Sequence, residues 1–238
     1  MCNGSIMDKL ISFSLPLMVS GILQLAFNAV DIIVVGRFSG SQALAAVGST
    51  TALINVFANL FIGISLGANV LAARFYAAGK DREMSETVHT SITLALISGI
   101  MMAVIGVLLA KWALEIMGTP DDVIGQSALY MRIYFMGMPF FMLYNYGAAI
   151  LRAIGDTKRP LIFLIISGIA NAALNMILVI LFHMGVAGVA IGTIISQLIS
   201  CVLVLICLYR SEGSYQLRFS KLKINGAYME QIFQVGVP

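Results

Sequence analysis

Six stretches of this chain, 19 to 36 residues long, contain no Asp, Glu, Lys or Arg: Leu10 to Val30, Phe38 to Ala73, Thr87 to Ala110, Ile133 to Leu151, Pro160 to Phe182 and Met184 to Tyr209. A helix crosses a hydrocarbon core of about 30 Å with roughly 20 apolar residues. With 60% hydrophobic and 11% charged residues and a mean hydropathy of +0.97, 238 residues cannot hide this much apolar surface in a soluble core. The class expected is an all-α integral membrane protein, since barrel strands would alternate in segments of about ten residues. We place its helices at about 10–36, 44–73, 87–110, 124–151, 160–182 and 186–209, with residues 210–231 as a polar linker. The first run is too long for a signal-peptide core and lacks a small-residue cleavage site, so it is expected to remain in the mature protein.

The basic residues orient the chain. Lys9, Arg74, Lys80, Arg82, Arg152, Lys158, Arg159, Arg210, Arg218, Lys221 and Lys223, eleven of the fourteen, fall on one side; Arg37 and Lys111 fall on the other, with Arg132 near its outer part. Basic residues mark the cytoplasmic side, so both ends of this segment are expected in the cytoplasm of a multi-pass cell-membrane protein. The formal charge of +3 expresses that bias and carries no nucleic-acid signal. Cys2, Cys201 and Cys207 lack metal-ligand spacing and read as small apolar fillers, and His89 and His183 read as bystanders at the run edges.

Polar residues inside the runs mark where function lies. Ser20, Gln24, Asn28 and Asp31 recur at intervals of four, four and three, which puts them on one face of the first helix. Thr51, Asn55 and Asn59 with Gly63 do the same on the second, and Ser167, Asn171 and Asn175 on the fifth. An amide facing lipid without a partner costs several kcal/mol, so the three stripes are expected to line a shared cavity inside the bundle. Asp31 is the one acid within the expected membrane helices. An ionised carboxylate there costs at least about 2.5–3.5 kcal/mol on insertion scales, so it must pair, bind a cation or take up a proton. Tyr134 on the fourth helix offers a π-face to cationic compounds and Met138 an adaptable apolar contact. Pro16 and Pro139 remove ladder hydrogen bonds and are candidate hinges. Gly63-x-x-x-Gly67 and Gly188-x-x-x-Gly192 read as close helix contacts.

Ile232-Phe233-Gln234-Val235-Gly236-Val237-Pro238 echoes Leu10-Ile11-Ser12-Phe13-Ser14-Leu15-Pro16. Six helices bring the chain back to its starting side, so a second copy beginning at residue 232 would run in the same direction as the first. Residues 1–209 are therefore expected to form one six-helix lobe, and 232–238 to open a second within the same full-length chain.

The polar turn Leu151-Arg152-Ala153-Ile154-Gly155-Asp156-Thr157-Lys158-Arg159-Pro160 resembles the L-R-x-x-G-D-T-K-x-P loop of the multidrug and toxic compound extrusion (MATE) family. The likeness extends to Pro16 and Asp31, to Gly118-Thr119-Pro120 ahead of Tyr130-Met131-Arg132-Ile133-Tyr134, to Gly137-Met138-Pro139, and to Val186-Ala187-Gly188-Val189-Ala190-Ile191-Gly192-Thr193 with Gln197. It implies a twelve-helix transporter of two lobes forming a V, with Asp31 in the coupling site and bending of the first helix accompanying loading. The function expected is an antiporter, not an enzyme, that exports drugs or other small organic, often cationic, compounds by alternating access. No cofactor or metal is called for beyond H⁺ or Na⁺ as coupling ion.

The expected coupling residues are Asp31, Asn28, Asn171 and Asn175; Gln24, Asn55, Asn59, Tyr134 and Met138 would line the cavity or touch substrate. One departure favours H⁺. Many family members read N-x-x-x-D on the fifth helix, whereas Asn175 is followed four residues later by Val179. One carboxylate and two amides are thin coordination for a hard cation. The alternative function is a flippase for lipid-linked oligosaccharide or lipid of the same superfamily, which would need a basic cavity where the helix interiors supply only Arg132.

Overall fold

A computed structural model describes residues 6–236, the side chains of Ile6 and Lys9 excepted; Cys2, the side chain of Lys9, and Val237 and Pro238 at the end of the echo segment lie outside the described residues. The described chain is helical throughout: α1 (Ile6–Phe38), α2 (Gly40–Ala77), α3 (Asp81–Ile116), α4 (Asp121–Met136), α5 (Met138–Ala153), α6 (Lys158–Met176, continued by a π-helical turn Ile177–Leu181), α7 (Gly185–Arg210) and α8 (Gly226–Gly236). Leu10–Phe38, Gly40–Ala77, Asp81–Ile116, Lys158–Leu181 and Gly185–Arg210 are each long and apolar enough to cross a membrane. A belt of exposed large apolar side chains, among them Ile22, Leu25, Val56, Leu108, Trp112, Ile169 and Leu181, covers them. Such a surface is stable only against lipid.

The stretch expected as one helix over 124–151 is two helices meeting at Gly137. Pro139 has no N–H to offer the carbonyl of Phe135, and Gly137 instead closes a tight turn, its N–H on the Tyr134 carbonyl at 3.0 Å. Both halves pack on α2, α3 and α7 and hardly touch each other, so they lie end to end and complete a sixth traverse. The break fits because Gly99 on α3 has no side chain: a Cβ there would lie 2.5 Å from the Pro139 Cα. Periodicity reads both halves as helix and is blind to one residue between them.

The core runs along α2, α3, α4, α5 and α7, with Phe61, Met102, Phe135, Met142 and Tyr146 among its buried residues. Helix α1 leans on α6, where the Phe27 ring occupies the space a side chain at Gly168 would need. The basic loop is built by its sequence. The helix α5 ends in a left-handed Gly155 (φ 89°), with the Asp156 N–H on the Leu151 carbonyl and the Gly155 N–H on that of Arg152, both 2.9 Å. Asp156 then accepts the Arg159 backbone N–H at 3.1 Å and pairs with its guanidinium at 3.2 Å, capping the start of α6.

After α7 the connection 211–225 folds back over the first turns of α3, burying Leu217 completely. It delivers α8 onto α2, where the glycines at 63 and 67 let the two backbones touch: Gly67 lies directly against the Ile232 carbonyl.

Candidate functional site

Asp31 lies two turns before the end of α1, on the side that meets α6, and is 9% exposed. The Asn175 side chain on α6 donates an N–H to Asp31 Oδ1. The same nitrogen donates to Asn171 Oδ1 at 3.3 Å, and Asn171 donates to Thr193 Oγ1 of α7 at 3.4 Å. Thr193 in turn gives its hydroxyl proton to the Val189 carbonyl at 2.9 Å. Both N–H groups of the Asn175 amide and one of Asn171 are thus turned to acceptors, and the carboxylate stands at the end of the chain of bonds. The helices approach closely enough because Gly192 presents no side chain to Asn175.

Two tyrosines of α4 lie near the site. Tyr130 and Tyr134, one turn apart on α4 with ring centroids 6.1 Å from each other, lie within electrostatic reach of the Asp31 carboxylate. Beside Tyr134 stands Gln197 of α7. Two amide oxygens here, Asn175 Oδ1 and Gln197 Oε1, are buried and have no hydrogen-bond partner among the described residues. Among the described residues the ion pairs are Arg82–Glu86, Lys111–Glu115 and Arg159–Asp156, so Asp31 has no cation against it. Both basic side chains that could have neutralised it, Arg37 and Arg132, are exposed. A carboxylate buried this way is expensive unless it is hydrogen-bonded or changes its charge.

The structure separates the remaining expected residues. Asp31, Asn171, Asn175 and Tyr134 come together, but Gln24, Asn28, Asn55 and Asn59 are exposed on the surface of the bundle. In this structure the stripe of α1 turns inward at Asp31, and that of α2 faces out. Met138, expected beside a cavity, is fully buried in the apolar core, because the break at Gly137 aims it inward. Pro139 is the second residue of α5, and Pro16 lies within α1, where its carbonyl accepts the Ser20 hydroxyl at 2.8 Å. Val179, where a second carboxylate would stand, is buried in the π-helical turn. Thr193 and Gln197, four residues apart on one face of α7, join the site although the sequence marks neither as a site residue. His89, read as a bystander, is 4% exposed and hydrogen-bonded through both ring nitrogens.

A family model described as MatE matches residues 16–177. The chain belongs to the MatE family. Among its curated relatives, Probable multidrug resistance protein YoeA of Bacillus subtilis (strain 168) is 34% identical over 95% of this chain and 50% of its own length. Multidrug export protein MepA of Staphylococcus haemolyticus is 28% identical over 99% of this chain and 52% of its own. A crystal structure of MATE in the bent conformation superimposes with a TM-score of 0.91 at 22% identity, covering 99% of this chain and 52% of that one. This MatE-family chain thus spans about half the length of the curated relatives it matches, and its fold is that of one half of a MATE transporter.

Proposed function

We propose that this chain is one lobe of a proton-coupled antiporter that exports small organic compounds, often cationic, across the cytoplasmic membrane by alternating access. The observation that carries the reading is the buried Asp31 carboxylate, held by Asn175 and without an ion pair among the described residues. As a carboxylate, Asp31 accepts the Asn175 N–H. Once protonated it becomes a donor, and the unpartnered Asn175 Oδ1 is the acceptor it would need after a flip of that amide. Loading one proton thereby reverses the polarity of the contact that joins α1 to α6. Pro16, which weakens the ladder of α1, gives that helix a place to bend in response.

A proton is favoured over Na⁺ because Val179 leaves a single negative charge in the site. The exposed amides Gln24, Asn28, Asn55 and Asn59 would face a second lobe supplied by the rest of a full-length chain and meet substrate there. The curated relatives carry names of multidrug resistance and export proteins, which supports that substrate class. Pro139, at the break in the fourth traverse, is the second hinge.

The test is efflux of a fluorescent lipophilic cation from proteoliposomes holding the full-length protein, under an imposed proton gradient and then a sodium gradient. Wild type is expected to respond to protons, and Asp31→Asn to neither gradient while remaining folded. Undiminished proton-driven efflux by Asp31→Asn removes Asp31 from the mechanism, and wild-type efflux driven by sodium alone overturns the choice of ion.

A further inference from the structure

The connection between α7 and α8 is fastened to α3 by three residues within two turns. The Arg218 backbone N–H points at His89 Nε2 at 3.1 Å; the Asn225 backbone N–H points at Thr90 Oγ1 at 3.3 Å; and the Asn225 side chain donates to Glu86 Oε2 at 2.8 Å. These contacts border a cavity of about 710 Å³ lined by Arg82, Glu86, Lys221, Lys223 and Gly226. The protonation state of His89 follows from its partners. Nδ1 lies 2.6 Å from the Ser85 carbonyl, which can only accept, so Nδ1 carries the proton; Nε2 faces an N–H, so it must offer a lone pair. Only the neutral Nδ1–H tautomer makes both bonds.

An imidazolium at this place would point an N–H at an N–H. Its charged neighbours give it no compensation. On α3, Glu86 is engaged by Arg82 at 3.1 Å and by Asn225, and the connection itself brings Arg218, Lys221 and Lys223. The titratable groups of α8 are Tyr228, which lies near Arg82, Glu83 and Glu86, and Glu230, which accepts from Gln234. No carboxylate bonds to the ring among the described residues.

We propose that His89 is a proton-sensitive clamp: as the neutral tautomer it holds the 211–225 connection against α3, and on taking a proton at Nε2 it lets the Arg218 end go. Thr90 and Asn225, which do not titrate, keep the far end fastened, so release is confined to the middle of the connection. The pH it samples is that of the compartment the basic loops face. Loosening this tether frees the segment that sets where α8 meets α2.

The experiment is hydrogen–deuterium exchange of the full-length protein in nanodiscs at pH about 7.5 and about 5.5, the interval across which imidazole titrates. After correction for intrinsic rates, wild-type exchange at the Arg218 amide is expected to rise at least about fivefold in acid, the equivalent of one hydrogen bond of about 1 kcal/mol. His89→Gln offers an acceptor that cannot titrate and should show no such step. Thr90→Val should speed exchange at residues 223–225 at both pH values and keep the acid step at Arg218. A step that persists in His89→Gln, or its absence in wild type, overturns the clamp. Should His89→Gln fail to fold, ¹⁵N spectra of the wild-type imidazole decide instead: a ring already protonated at Nε2 at neutral pH contradicts the assignment.

Discussion

A carboxylate held by an amide responds to substitution differently from one held by a cation. Removing the Asn175 side chain leaves Asp31 buried without its donor and should destabilise the fold by about 1–3 kcal/mol or more, the acceptor being charged. Replacing Asp31 by Asn removes the charge and keeps the shape, so stability should hold or rise. The two effects are coupled: Asn175→Ala should cost at least about 1 kcal/mol less in the Asp31→Asn background than alone. Denaturant titrations of the four proteins in detergent measure this, and simply additive losses would mean that Asn175 does not hold Asp31. The intervals of three and four in the sequence already placed Asp31, Asn171 and Asn175 on helix faces. Which faces meet was not legible, because periodicity fixes a residue's position around its own helix and says nothing of the neighbour. Thr193 and Gln197 escaped for another reason: nothing in the sequence says that α6 approaches Gly192 and brings Asn171 to Thr193, or that Gln197 lies against the break at Gly137.

At the level of elements, the length of the apolar runs revealed the traverses, while single residues decided their interruptions. The join between α4 and α5 depends on Gly99 admitting the backbone at Pro139. A Val at position 99 would drive its Cβ to 2.5 Å from the Pro139 Cα, and neither backbone can yield cheaply. We expect Gly99→Val to lose about 1–3 kcal/mol, the usual cost of overpacking. Gly125, an exposed glycine of α4 with nothing within 4 Å of an added Cβ, gives the contrast. Gly125→Ala should be neutral or gain up to about 1 kcal/mol through helix propensity. Melting temperatures in one detergent report both. Equal behaviour of the two variants would show that the glycine at 99 serves no close approach. The turn at 151–160 was the most legible element, since Gly155 and Asp156 act through local backbone bonds that need no partner from elsewhere in the chain.

For the molecule as a whole, exposure alone does not separate a surface that meets lipid from one that meets water. Leu108 on α3 is 72% exposed, and Asn59 on α2 is exposed as well. Hydrocarbon accepts the first and penalises the second, because an amide has no partner in lipid. The face carrying Gln24, Asn28, Asn55 and Asn59 is therefore expected to line a water-filled cleft once the full-length chain is present. Single cysteines in a background lacking the native ones test this. In proteoliposomes, Asn59→Cys should react with a small water-soluble maleimide at least about tenfold faster than Leu108→Cys, since the thiolate that reacts forms only in water. Similar rates at the two positions would return Asn59 to a lipid-facing or closed surface. The same background fixes orientation. Lys158 in the basic loop and Asp121 at the start of α4 are both exposed and lie on opposite sides of the bundle's traverses. From the asymmetry of basic residues we expect the first inside the cell. In intact cells an impermeant reagent should label Asp121→Cys and spare Lys158→Cys until the membrane is opened. The reverse pattern would invert the protein and with it the compartment that would supply the proton proposed to load Asp31.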